Sequence, residues 1–174
     1  IGGLVAYEQT EQGLHITAEN AFVEITVFSP RVIRIHIYNE AHPPEGFSYT
    51  VVARPVPTAY TLHEDAVRIT LETAALFVQI EKQPLRLCFF DTAGGLINAD
   101  DKAFGTSFLG ETVTTYKTLQ PGERFVGLGE KTGNLDRRNS AYVNWNTDYF
   151  GYPPFADPLY ASIPFYIGIH SGLI

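Results

Sequence analysis

Phe22-Val23-Glu24-Ile25-Thr26-Val27-Phe28-Ser29-Pro30-Arg31-Val32-Ile33-Arg34-Ile35-His36-Ile37-Tyr38 carries the plainest pattern in the sequence. Val23, Ile25 and Val27 alternate with Phe22, Glu24, Thr26 and Phe28. After Ser29-Pro30, Ile33, Ile35 and Ile37 alternate with Val32, Arg34, His36 and Tyr38. Successive strand side chains point to opposite faces, so a period of two predicts strands with one apolar face. The same rhythm returns at Val67, Ile69 and Leu71, at Leu76, Val78 and Ile80, and at Leu85, Leu87 and Phe89. Breakers separate these runs: Ser29-Pro30, His42-Pro43-Pro44-Glu45-Gly46, Gln83-Pro84 and Ala93-Gly94-Gly95. Short strands with short turns predict an all-β fold, an antiparallel sandwich or barrel. No long segment has clean helical periodicity; the helical candidates are short, at Asp100–Phe104 and Asp136–Ala141. This argues against a doubly wound α/β fold, because its crossovers need helices.

The composition changes after about Tyr116. Gly, Asn, Asp and aromatic residues become dense through Tyr160, and Ile163–Ile169 then reads as a strand again. With 174 residues, 45% of them hydrophobic and 18% charged, the chain suits one domain with a sizeable core. A net charge of -7, with 12 thinly spread basic residues, argues against a nucleic-acid partner. No run approaches the roughly 20 apolar residues of a membrane helix, and the first residues do not read as a signal peptide. The compartment stays open between cytoplasm and periplasm. Cys88 is the single cysteine, which rules out an internal disulfide and a cysteine-based zinc site. The absence of Met, the start at Ile1 and the apolar end at Leu173-Ile174 lead us to expect a longer natural polypeptide.

Gly127-Leu128-Gly129-Glu130-Lys131-Thr132-Gly133 fails as a phosphate loop, because Gly-Lys-Ser/Thr does not follow at the required spacing. A glycine-permitted turn or close backbone packing is the better reading. His15, His36, His42, His63 and His170 lack metal-ligand spacing, so no metal or cofactor is expected. Cys88 sits in an apolar run and reads as a small packed residue. Asp100-Asp101 and Glu64-Asp65 are adjacent carboxylates that read as turn or cap residues. The richest stretch is Trp145-Asn146-Thr147-Asp148-Tyr149-Phe150-Gly151-Tyr152-Pro153-Pro154, a loop by its Gly and Pro content. Flat aromatic faces beside amide and carboxylate acceptors suit a sugar, whose C–H faces stack and whose hydroxyls donate. On residue types alone, an aromatic loop packed onto the sandwich or a neighbouring domain is an equal reading.

Four blocks in order carry a family resemblance. They are Glu123-Arg124-Phe125-Val126-Gly127-Leu128-Gly129-Glu130, Trp145-Asn146-Thr147-Asp148, Asp157-Pro158-Leu159-Tyr160 and Ile163-Pro164-Phe165-Tyr166-Ile167-Gly168. Together with Ser29-Pro30-Arg31-Val32-Ile33-Arg34-Ile35, they make the chain from Ala21 onward resemble the N-terminal domain of glycoside hydrolase family 31, the α-glucosidase family. The resemblance implies a galactose-mutarotase-like β-sandwich over residues 1–174, preceding a catalytic (β/α)8 barrel. It implies retaining hydrolysis of α-linked glucosides by two barrel aspartates, both beyond Ile174, so no catalytic residue is assigned here. It also implies that the Trp145–Pro154 loop reaches the barrel's substrate pocket. Asp148 would contact a hydroxyl, Tyr149 and Phe150 would wall the pocket, and Asn146 would organise the loop or make a second contact. Trp145 completes this substrate-binding set. The expected partners are an α-glucoside or oligosaccharide and the intramolecular barrel. The family domain continues with further strands, so we expect some closing strands to be missing and an edge open to pairing with another copy. Two other readings remain: a free-standing carbohydrate-binding module, and a mutarotase-like epimerase with His36 or His63 in an acid–base role.

Overall fold

A computed structural model describes residues 1–40 and 48–170; His42 with its Pro-rich stretch, and the Leu173-Ile174 end, lie outside the described residues. The chain forms two compact units, Ile1–Thr118 and Leu119–Ile174. Their boundary falls close to the change in composition after Tyr116.

The first unit is a β-sandwich. Strands β1 (Leu4–Thr10), β2 (Gly13–Ala18), β3 (Phe22–Ser29) and β4 (Val32–Tyr38) form a four-stranded antiparallel sheet in chain order. Strands β5 (Thr61–Glu64), β6 (Arg68–Glu72), β7 (Leu76–Lys82), β8 (Leu85–Asp91) and β9 (Leu96–Ala99) form a five-stranded sheet, also in chain order. The hairpin of β10 (Thr106–Leu109) and β11 (Thr112–Thr115) completes the unit. The alternation at 22–38 is the register of this structure. Val23 lies opposite Ile37, Ile25 opposite Ile35 and Val27 opposite Ile33. On the other sheet Ile69 faces Ile80 and Leu71 faces Val78. These side chains meet in one core with Leu14, Ile16, Leu85 and Leu87. Each fully buried aliphatic side chain there contributes about 1.5–3 kcal/mol.

Close approach of the sheets' own strands has a sequence cost. Gly13 has φ +148°, and a Cβ there would lie 1.9 Å from the Ile25 carbonyl oxygen of β3. Only glycine fits that contact. The sandwich is tied at its ends by side chains: Thr73 Oγ1 lies 2.7 Å from the Pro30 carbonyl, and the Tyr7 hydroxyl donates to Glu64 at 2.7 Å.

Among the described residues there is no helix, which corrects both helical candidates. At 100–104, Asp101 Oδ1 accepts the N–H groups of Ala103 and Phe104, each at 2.9 Å. The buried Arg86 guanidinium takes the carbonyls of Asp101 and Ala103. Side chains thus satisfy the backbone groups a helix would have used. At 136–141, Asp136 Oδ1 accepts from Phe125 and Arg138, while Arg137 N–H donates to the Phe125 carbonyl at 2.7 Å. Of the carboxylate pairs, Glu64-Asp65 lies at the β5–β6 turn as expected, with Asp65 accepting from Val67 and Arg68. Asp100 departs from its turn reading. It is buried and accepts from Leu87 N–H at 2.8 Å and from Lys117 Nζ at 2.6 Å. Cys88 is half-buried, and burial pushes its thiol up. His36 and His63 lie on strands of different sheets.

Candidate functional site

The second unit is built on one antiparallel pair, β12 (Arg124–Gly129) and β13 (Ser162–Ile169). The first three residues of the glycine run seen in the sequence, Gly127–Gly129, close β12. A Cβ on Gly127, at φ +123°, would lie 2.6 Å from the Phe165 carbonyl, and one on Gly129 would lie 2.5 Å from that of Ala161. Close backbone packing, one of the two expected readings of that run, is what these glycines allow.

Between the strands the chain makes a long excursion without regular structure. Polar side chains organise it, because such a segment has few backbone partners of its own. Arg138 Nη1 donates to the carbonyls of Gln120 and Glu123, and Arg137 Nη1 to those of Asn134 and Thr132. The Lys131 side chain is wholly buried, with Nζ 2.6 Å from Asp157 Oδ1 and 2.6 Å from the Val143 carbonyl. The other Asp157 oxygen accepts the Val143 N–H at 2.5 Å. Burial pushes the Asp157 carboxyl up, yet Lys131 and the Val143 N–H hold it on balance below the ordinary carboxylate value.

These bonds define the base of the aromatic loop. One limb continues upward from Val143, the other descends to Asp157. Thr147 N–H donates to the Leu159 carbonyl at 2.8 Å, and Ser162 N–H donates to Asn146 Oδ1 at 2.9 Å. Asn146 therefore stitches the two limbs together. Beyond Thr147 the loop is free to present its side chains. Asp148 is exposed, and its carboxylate has no hydrogen-bond or ion-pair partner among the described residues. Trp145 is 69% exposed, Phe150 93% and Tyr149 42%. Phe155 and Tyr152 are exposed as well.

Sequence reasoning passed over two members of this neighbourhood. Tyr160 packs edge-on to Tyr152, with ring centroids 6.4 Å apart. Its hydroxyl is pushed up, first by burial and then by the negative charge of Asp148. Tyr160 thus belongs electrostatically to the Asp148 end of the loop, although it stands twelve positions later in the chain. Lys131 was hidden inside the glycine run, and nothing in its sequence context signals a buried ammonium. Among the described residues no three His, Cys, Asp or Glu side chains converge as a metal site.

The sequence profile of the glycosyl hydrolase 31 N-terminal galactose mutarotase-like domain matches residues 22–173. The chain belongs to glycoside hydrolase family 31. This family 31 domain is 30% identical over 174 residues to alpha-glucosidase 2 of Bacillus thermoamyloliquefaciens, covering 99% of the chain and 22% of that relative. It superposes on the family 31 dextranase of Flavobacterium johnsoniae, solved with isomaltotriose, with a TM-score of 0.90 and 30% identity, over 96% of the chain and 21% of the dextranase. The cycloalternan-forming enzyme of Listeria monocytogenes shares the fold at TM-score 0.80 and 15% identity, over 96% of the chain and 16% of that enzyme. The chain thus spans about a fifth of the length of the relatives named first. The family and the galactose-mutarotase-like, all-β fold expected from the sequence blocks are those of this domain.

Proposed function

We propose that this family 31 domain is the non-catalytic N-terminal part of a retaining α-glucosidase and lends its Trp145–Pro154 loop to the substrate pocket of a downstream barrel. One observation carries the reading: an exposed, unpartnered Asp148 carboxylate just beyond the stitched base of an aromatic loop. An uncommitted carboxylate accepts hydrogen bonds from a sugar hydroxyl without first giving up a protein partner. Tyr149, Phe150 and Trp145 offer flat apolar faces beside it. The relatives are named as an alpha-glucosidase and a dextranase, enzymes of the matching substrate class.

In this mechanism two barrel carboxylates, about 5–5.5 Å apart, carry out double displacement through a covalent glycosyl-enzyme. Asp148 transfers no proton. It holds the sugar in register with the nucleophile, which lowers the entropic part of the barrier. A broad apolar surface supports an intramolecular partner. Ile163, Phe165, Tyr166 and Ile167 of β13 are each half exposed or more, on both faces of the strand. A free-standing binding module would leave that surface in water.

The test is a chromogenic α-glucoside assay of the 174-residue chain beside a polypeptide extended through the following several hundred residues. Activity in the longer protein alone, with retention at the anomeric carbon by NMR, is the expected result. Asp148→Ala in the longer protein should then lower kcat/KM by about 10- to 100-fold, the range for one lost hydrogen bond to a charged group. Hydrolysis by the 174 residues themselves would overturn the reading.

A further inference from the structure

We infer that the Lys131–Asp157 pair, its Lys131 side chain wholly buried, is a positioning clamp that sets the conformation of the Trp145–Pro154 loop. Val143 and Asp157 stand fourteen positions apart in the chain and bracket the loop. The clamp takes both backbone groups of Val143. Asp157 Oδ2 accepts its N–H at 2.5 Å, and Lys131 Nζ donates to its carbonyl at 2.6 Å. The same ammonium holds Asp157 Oδ1 at 2.6 Å, so one ion pair fixes the entry and the exit of the loop to the residue that follows β12 by two positions. Thr132 Oγ1 donates to the Ala156 carbonyl at 2.9 Å and reinforces the exit limb.

The geometry argues for placement over stability. A wholly buried ammonium is costly to desolvate, and an apolar pair of similar volume often stabilises a fold as well or better. Apolar side chains could not hold a backbone N–H and its carbonyl at once, however. The pair therefore supplies direction that packing cannot: it fixes Val143, and through Asn146 and Thr147 it fixes the platform from which Asp148 projects. Asp148 is the proposed sugar contact, so the effect of the clamp on substrate rests on the function proposed above, while its effect on the loop does not.

Trp145 is the sole tryptophan and lies within the loop, so its emission reports the loop alone. The experiment compares the 174-residue chain with its Lys131→Met/Asp157→Leu double variant and with Asp157→Asn. In the double variant the Tm should change by only a few degrees, while Trp145 anisotropy decay gains a nanosecond component that the parent lacks. Hydrogen exchange on the unmodified chain covers the case of a variant that does not fold. The Val143 amide should exchange at least 100-fold more slowly than the Asp148 amide, although both residues are exposed. Equal exchange at the two amides, or folded variants with unchanged anisotropy, would overturn the clamp.

In the extended enzyme, Asp157→Asn should raise KM about tenfold with a smaller change in kcat, and Lys131→Arg should restore part of the loop order lost in Lys131→Met. A mobile loop with unaltered KM would leave the clamp standing and count against the substrate role of the loop. An ordered loop in every variant would overturn the clamp whatever the kinetics.

Discussion

Up to Thr118 the chain buries a large aliphatic cluster between two sheets, with Arg86 and Asp100 buried beside it; from Leu119 onward it buries few aliphatic side chains, Leu159 and Ala156 among them, and leaves many aromatic rings in water. Leu14, Ile69, Leu71, Val78 and Ile80 are all inaccessible, and the cluster they form is aliphatic throughout. In the second unit the buried set includes the Lys131 side chain and Glu123, while Phe150 and Trp145 are exposed. Hydrophobic burial is non-directional and rewards compaction. Hydrogen bonds and ion pairs are directional and reward placement. The first unit therefore rests mainly on its aliphatic cluster, while the shape of the second is set by a few polar contacts.

The largest test of this contrast is a cavity in the scaffold. Leu71→Ala should cost about 2–5 kcal/mol and lower the Tm by about 4–20 degrees, read by thermal circular dichroism. A loss under about 1 kcal/mol would mean that the aliphatic core is not what holds the first unit. Next comes a paired comparison of glycines. Gly13→Ala forces a Cβ against the Ile25 carbonyl, and Gly127→Ala forces one against that of Phe165. Each should cost about 1–3 kcal/mol of local strain. Hydrogen exchange should show the loss at β2–β3 in the first variant and at β12–β13 in the second. Uniform loss across both units in either variant would erase the distinction between them.

Acid offers a finer separation. Asp157 and Asp136 both have carboxyls held below the ordinary value of 3.8. For Asp136 the causes are, first, the N–H groups of Arg138 and Phe125. A carboxyl depressed on folding stabilises the folded form above its unfolded value, and that support is lost as the pH falls through the folded value. The loop should therefore loosen as the pH drops below about 3.8, with Trp145 anisotropy falling before the β signal in the far ultraviolet is lost. Glu64 and Asp65 are depressed too, but they lie on the exterior of a scaffold whose central cluster is aliphatic. Coincident transitions would show that both units depend on the same carboxylates. The smallest effect is expected at Phe150, where alanine should shift stability by no more than about 0.5 kcal/mol in the isolated chain. A larger loss would place its ring in a stabilising contact.

Much of the scaffold was legible because strands write their register into the sequence. The run from Phe22 to Tyr38 showed β3, β4 and the turn between them, and the later alternations showed β6, β7 and β8. β1 and β2 were harder to see, since Leu4–Thr10 is mostly exposed and β2 buries only Leu14, Ile16 and the small Ala18 after its opening Gly13. β10 and β11 are too short for a period to register. In β12 the glycines disguised a strand as a turn, because the feature that let them approach β13 was the missing side chain. The two short helical candidates failed for a related reason. Asp101 and Asp136 sit where a helix would begin, but their carboxylates close local turns instead.

Residue types singled out the stretch from Trp145 to Pro154 without choosing between a sugar contact and a packed loop, and the ordered blocks pointed to the family. Composition and alternation are properties of neighbours along the chain, so they determined the all-β class, the apolar faces and the position of the aromatic loop. The tertiary structure alone decided which groups in that loop are engaged and which are uncommitted. Asn146 is stitched to Ser162 while Asp148, two residues on, faces water without a partner. Tyr160 comes beside Tyr152, and Lys131 becomes the buried counterion of Asp157 twenty-six positions away. No periodicity encodes such meetings. They depend on where β12 and β13 bring the ends of an irregular segment, and on burial that strengthens a 2.6 Å ion pair by excluding water.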